Sequence, residues 1–353
     1  ACRDALAQAP QVLDEWRNWL SQDGQTLIAR HWVQDRYTRS WVLAWLDTWL
    51  YAAQLVFSGS SWDSGGYASD LPNKVQKYWQ DNWQNEILAE LPAKFFDEVV
   101  QFLVGRRPPA RRVAWAVFPI VPWGLPGLTQ AVLTRWDLEE IADGPGGIFP
   151  DPAQVLIRPM RPDFLAAVLE AHRAARLPGC PVRFQVNPVD PRDEAYLSAA
   201  ALSGPSGSGA LYVALRALGE GLVPEPGLAV SFAVQNRAAG AVGDLDLKAR
   251  ACARHGFRRL MVAEAFTPPP DIDLEIVRVD SLDEAEEQAL GLARRVQEYL
   301  GKLRNELDRT PWSDPTGSLI PVSRVAVEVR VLKKVVRPSG SDRGRLPEPQ
   351  RYV

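Results

Sequence analysis

Two side chains invite chemistry by their type and setting. Ser206 lies in a glycine-rich turn, Ser203-Gly204-Pro205-Ser206-Gly207-Ser208-Gly209-Ala210. Lys248 lies 42 positions later, at the end of Gly243-Asp244-Leu245-Asp246-Leu247-Lys248. A serine hydroxyl is a weak nucleophile until an adjacent base takes its proton. A lysine amine is such a base only when uncharged, and burial in an apolar pocket disfavours its charged form. Leu245, Leu247, Ala249 and Ala251 supply apolar neighbours along the chain. A glycine-rich turn also leaves backbone N–H groups free to hold a developing oxyanion.

The elements that must position these two groups are legible on either side of them. Ala210, Val213, Ala214, Ala217 and Leu218 recur at helical spacing, so a helix follows the serine turn. Gly219 and Gly221 are expected to close it, since glycine accepts a left-handed cap. Leu228 to Val234 reads as a strand. A second glycine turn then opens a helix that carries Lys248.

The run Gly-Pro-Ser-Gly, an apolar helix, and Gly-x-Leu-x-x-Lys about forty residues on together resemble the proteolytic domain of the Lon-type serine peptidases. Those enzymes use a serine–lysine dyad. The resemblance implies Ser206 as nucleophile, Lys248 as general base and Ser231 as the hydroxyl that orients the amine, where the family carries threonine. Ala251 to Gly256 and then Phe257 to Val262 read as helix, glycine stop and strand in the family's order. Ser203 replaces the family's acidic residue, Gly207 its alanine, and Phe232-Ala233 its Gly-Glu pair. One residue fewer separates the Ser231 strand from Lys248. The chain therefore reads as a divergent member, similar to the family from about residue 112 to residue 300.

Composition bounds the rest. The 353 residues are 46% hydrophobic and 24% charged, ordinary values for a globular protein, and length alone predicts two domains. A net charge of −3 offers no basic field for nucleic acid. Three cysteines, Cys2, Cys180 and Cys252, are too few and too scattered for a disulfide framework or a zinc site, which fits a reducing cytoplasmic setting. With three histidines in all, a histidine-built metal site is not expected, and no cofactor is called for. The polar start Ala1-Cys2-Arg3-Asp4 has no signal-peptide pattern, and the lack of an initial methionine fits a segment of a longer chain. Of 13 tryptophans, all but Trp312 fall within the first 136 residues, so the two halves have different cores.

These observations predict an α+β protein, with an N-terminal all-α domain and then a Lon-protease-like α/β domain (the ribosomal protein S5 domain 2-like fold). The expected divisions are a Trp-rich helical domain over 1–108, a Lon-like proteolytic domain over 109–310, and a strand with a flexible tail over 311–353. Residues 4 to 57 read as helices, with Trp41, Trp45 and Trp49 on one face. The apolar run Trp41 to Phe57 holds Asp47 and Gln54 and is short of the ~20 residues of a membrane span. It reads as a buried bundle helix, the alternative being an aromatic docking surface. Ser58 to Lys74 is expected to be a loop, residues 75 to 104 helix, and Gly105-Arg106-Arg107-Pro108-Pro109 the domain boundary. Strands are expected at Val113 to Val121, Val155 to Arg158, Val182 to Val186, Arg258 to Ala265, Leu274 to Val279 and Val325 to Val336. A short helix is expected around Leu128 to Trp136, a longer one at Phe164 to Ala175, and a loop over 188–203. Ser281-x-x-Glu284 reads as a capping box opening a helix to about residue 306, while Arg337 to Val353 reads as disordered. His172 and Cys180 make no oriented nucleophile pair; His172 is expected to be exposed or capping. Cys252 reads as a small core thiol, and His255 as a partner of its helix's last carbonyls.

Three functions compete on this reading. A peptidase would cleave protein or peptide substrates and, lacking a Walker-type phosphate loop, would either work with a separate ATPase or regulatory partner docked on the Trp-rich domain or cut flexible or specific targets without one. The resemblance also implies a homo-oligomeric ring. A small-molecule kinase of related fold would use Gly204 to Gly209 for phosphate, but leaves Lys248 without a role. A non-catalytic interaction module would keep the scaffold alone. Neither a nucleic-acid nor a membrane partner is expected.

Overall fold

The computed structural model describes residues 2–24, 26, 36–58, 70–83, 91–122, 130–141, 146–155, 157–177, 179–199 and 201–309. Within it, residues 1–296 form one compact unit and residues 297–353 another. The fold is mixed α/β, built on a mostly parallel seven-stranded sheet of order β3-β4-β2-β1-β5-β8-β9.

Strand β1 (Ala110–Ile120) is central. Its residues alternate with the period of two that a pleated strand imposes. Ala114, Ala116, Phe118 and Ile120 enter one apolar cluster, and Val117 enters another on the opposite face. Strand β5 (Leu228–Ser231) lies parallel to β1, with Val117 opposite Ala229. Strand β8 (Arg259–Val262) is parallel to β5 and pairs Ser231 with Val262; β9 (Glu275–Arg278) continues the parallel run. On the other side, β2 (Val132–Ile141) is antiparallel to both β1 and β4 (Pro181–Pro188), and β3 (Gly147–Pro150) is parallel to β4. A separate hairpin, β6 (Ala233–Gln235) and β7 (Ala238–Gly240), turns through Asn236 and Arg237, both left-handed.

Nine helices appear among the described residues. In the N-terminal part these are α1 (Cys2–Trp19), α2 (Arg36–Ser58), α3 (Leu71–Trp83) and α4 (Ala93–Leu103). Trp41 and Trp45 of α2 are fully buried and Trp49 partly so, as the tryptophan stripe predicts. No helix of the described residues is long and apolar enough to cross a membrane. The core does not stop at Gly105–Pro109. Trp41, Val75 and Phe95 belong to the same apolar cluster as Phe149, Trp136 and Phe184, and Trp41 Nε1 donates to the Val155 carbonyl at 3.1 Å. Beyond the sheet's start come α5 (Pro162–Ala175), α6 (Glu194–Ala199), α7 (Ser208–Glu220), α8 (Leu245–Arg254) and α9 (Leu282–Arg309). The Ser281 hydroxyl accepts from Glu284 N–H at 3.2 Å, while the Glu284 carboxylate reaches back to Asp280 N–H at 3.0 Å, one residue earlier than a regular capping box.

Several local expectations fail for one reason, that the tertiary context decides short apolar runs. Residues 132–136 are strand, not helix. Trp136 and Leu138 are buried in alternation with Arg135, Asp137 and Glu139, a period of two. Residues 155, 157 and 158 are turn and bend rather than strand: Gln154 N–H bonds back to the Asp151 carbonyl at 2.9 Å, closing a turn, and buried Arg158 meets Glu194. The 188–203 loop contains a 3-10 turn, Pro191–Asp193, and then α6. Residues 71–74 already belong to α3 rather than to the preceding loop. The strand expected at 325–336 and the tail after it lie outside the described residues, as do 59–69 and 84–90.

Candidate active site

Lys248 stands one turn into α8 and is only 4% exposed. Leu245, Ala249 and Cys252 of the same helix pack on Ala229, Leu260 and Val262 of the sheet, which carries Lys248 down with them. Burial holds its ammonium down to about 8, against the opposing pull of Asp244, Glu264 and the Cys252 thiol. Among the described residues no carboxylate approaches Nζ within ion-pair distance. Lys248 lies on the face of the sheet formed by Ala229, Leu260 and Val262.

Ser231 closes β5. Leu228 and Val230 face the α7 side and Ala229 the α8 side, so strand alternation sends Ser231 toward α8. It is fully buried, and its hydroxyl has no hydrogen-bond partner. Such orphaned buried hydroxyls are rare, because each forfeits its bonds to water.

The Ser206 turn is fastened to the residues that follow Ser231. Gly209 N–H donates to the Phe232 carbonyl at 3.0 Å, and Val234 N–H donates to Ser208 Oγ at 2.8 Å. Ser208 Oγ in turn donates to the Pro205 carbonyl at 2.7 Å. Trp136 Nε1 donates to the Gly207 carbonyl at 2.9 Å from beneath. The turn's amides are thereby sorted. Gly204 N–H bonds to Asp163, while Ser208 and Gly209 bond to backbone carbonyls. Among the described residues, the Ser206 and Gly207 N–H groups take part in none of these bonds. Ser206 itself is half-buried at the mouth of the turn. Its hydroxyl is not hydrogen-bonded to Lys248, nor is that of Ser231.

The glycines of the turn fit these surroundings. A Cβ at residue 207 would come within 2.7 Å of the Phe118 ring, so an alanine has no room there. A Cβ at residue 209 would come within 2.6 Å of Phe232, the bulky residue that follows Ser231. Sequence reasoning missed Ser208, Trp136 and Phe118. Ser208 was visible as a second serine in the glycine turn, whereas nothing in the sequence joins the two aromatics to it.

Cys252 is a fully buried core thiol, as expected, pushed up to about 12 by burial. His172 is half-buried rather than exposed, and burial lowers its pKa. His255 meets its helix's last carbonyls as expected, through its backbone rather than its ring. Its backbone N–H caps the carbonyls of Ala251 and Cys252, but its ring turns toward Asp193, with Nε2 3.6 Å from Oδ2. Among the described residues no group of three or more His, Cys, Asp or Glu is placed to hold a metal.

Compared with known proteins, the chain matches no family model and no curated protein.

Proposed function

We propose that this chain is a Lon-like serine endopeptidase working through Ser206 and Lys248. The observation that carries the reading is the buried, unpaired amine of Lys248. Lys248 and the orphaned Ser231 belong to the same face of the sheet, and the Ser206 turn is bonded to the residues that follow Ser231. Ser206 Oγ attacks the scissile carbonyl while its proton passes to Lys248. The oxyanion receives hydrogen bonds from the free N–H groups of Ser206 and Gly207. Lys248 then protonates the leaving amine, and the acyl-enzyme is hydrolysed by a water that Lys248 activates in turn. Ser231 supplies the hydroxyl that orients the amine. The Ser206–Lys248 hydrogen bond forms when substrate closes the site, as catalytic contacts that are loose in a free enzyme tighten in the complex. With no Walker pattern in its glycine turn, the chain would cut flexible or specific targets by itself, or folded ones with the help of an unfoldase.

Mass spectrometry of unfolded protein substrates tests the reading. Wild type is expected to release peptides, while Ser206→Ala and Lys248→Ala release none, each keeping the wild-type circular dichroism spectrum. Equal peptide release by either variant would overturn the assignment.

A further inference from the structure

A second polar cavity lies away from the serine turn. It has a volume of about 390 Å³ and is lined by Arg176, Tyr212, Arg216, Arg237, Asp283 and Glu286, from α5's end, α7, the β6–β7 turn and the start of α9. Two of its walls are unusual in backbone as well as in charge. Arg176 is the left-handed C-cap of α5, with φ 50°, a position that helices fill with glycine or asparagine. Arg237 is the second residue of a two-residue hairpin turn, with φ 66°, where glycine is favoured. A side chain at either position strains the backbone, and such strain persists chiefly where function holds it in place.

The charges around the cavity are unevenly satisfied. Glu286 is taken up by Tyr212 Oη at 3.0 Å, by Arg216 Nε at 2.7 Å and by Arg294. Arg216 also pairs with Glu220. The side chains of Arg176 and Arg237 form no ion pair or hydrogen bond among the described residues, and both are exposed at the rim. Asp283 is the one lining carboxylate without a basic partner among those residues, so two free guanidiniums outweigh it.

We propose that this cavity binds a small phosphorylated metabolite, its phosphoryl group held by the Arg176 and Arg237 guanidiniums. Planar guanidinium forks match phosphate oxygens in pairs. The volume accommodates a group larger than phosphate itself. Bound there, the ligand would tie the hairpin to α5 and α9. That hairpin joins Ser231 to the segment leading to Lys248, but the binding claim stands without the peptidase reading.

The test is thermal unfolding of the whole chain at constant ionic strength with pyrophosphate, citrate or no addition. Its control is Arg176→Gly/Arg237→Gly, which places glycine at both left-handed positions and so relaxes the backbone. Wild type is expected to gain about 4 °C at a hundredfold excess of pyrophosphate over its Kd. The variant is expected to unfold at or above the wild-type temperature without ligand, and to gain less than about 1 °C with pyrophosphate. No gain in wild type, or the same gain in the variant, would overturn the site. An equal gain with citrate would overturn its phosphoryl specificity.

Discussion

At the scale of single residues, Lys248 carries both a cost and a use. Its folded-state pKa of about 8 lies below the ordinary lysine value of 10.5. Between those values the unfolded chain binds more protons than the folded one, so this group's contribution to stability rises with pH from about 8 to about 10.5. Below pH 8 the native state bears the full penalty, on the order of 3 kcal/mol at about 1.4 kcal/mol per pKa unit. Lys248→Met is therefore expected to raise the melting temperature at pH 7, by a margin that shrinks toward pH 10, while abolishing peptide cleavage. An unchanged melting temperature would show that the amine is hydrated in solution. The same titration governs rate. Since only the neutral amine accepts the Ser206 proton, kcat/KM is expected to climb tenfold per pH unit below 8 and level off above it. Residue type and the motif resemblance of their flanks nominated Ser206 and Lys248 as nucleophile and base. Burial was not legible, since a lysine among alanines and leucines on an isolated helix is as readily solvated.

Elements explain how the nucleophile turn is held. Ser208 lies outside the proposed reaction, yet its hydroxyl joins the turn to β6 through Pro205 and Val234. Removing it leaves the Val234 N–H buried without a partner, which costs about 1–3 kcal/mol. Ser208→Ala is expected to lower stability by that amount and to reduce kcat more than it raises KM, because the turn loses its register with Ser231. A change confined to stability would remove Ser208 from the site's support. The glycine after the nucleophile makes a sharper case. Gly207→Ala presses a methyl against the Phe118 ring, and overpacking of this kind costs about 1–3 kcal/mol. Pairing it with Phe118→Leu is expected to recover most of that loss, as judged by urea midpoints of the single and double variants. Helices α5, α7, α8 and α9 and strands β4, β5, β8 and β9 were readable from apolar period and glycine stops. Strand β2 was not, because the alternation of Trp136 and Leu138 with Arg135, Asp137 and Glu139 was outweighed by a turn-rich neighbourhood. Helix α6 was hidden likewise by the prolines around it.

For the whole molecule, the first question is what fastens the tryptophan-rich helices to the sheet. Part of the answer is ionic and buried. Arg183 of β4 meets Glu98 of α4 at 2.8 Å, with side chains 3% and 2% exposed, and Lys94 stands 3.5 Å from the same carboxylate. Burial raises the Glu98 pKa, and Arg183 and Lys94 oppose it. Breaking such a pair from one side strands a charge and costs about 3–5 kcal/mol, whereas removing both is far milder. Because Arg183 also bonds Glu139 and stands 3.8 Å from buried Asp151, Arg183→Leu is expected to lower the urea midpoint sharply and Arg183→Leu/Glu98→Leu to restore only the part owed to Glu98. Additive losses would mean that the two side chains act independently. This join was invisible in the sequence, where Glu98 and Arg183 look like two more surface charges 85 positions apart.

By itself the order of residues determined which groups could react and which segments would curl or extend, since hydroxyls, amines, glycine stops and apolar periods are local properties. Only the folded chain decided that Lys248 is buried, that Ser231 lacks a partner, that Phe118 crowds a side chain at 207 and that two strained arginines share a cavity. Each of those facts depends on which distant surfaces meet, and solvent exclusion and steric room exist only once they have met.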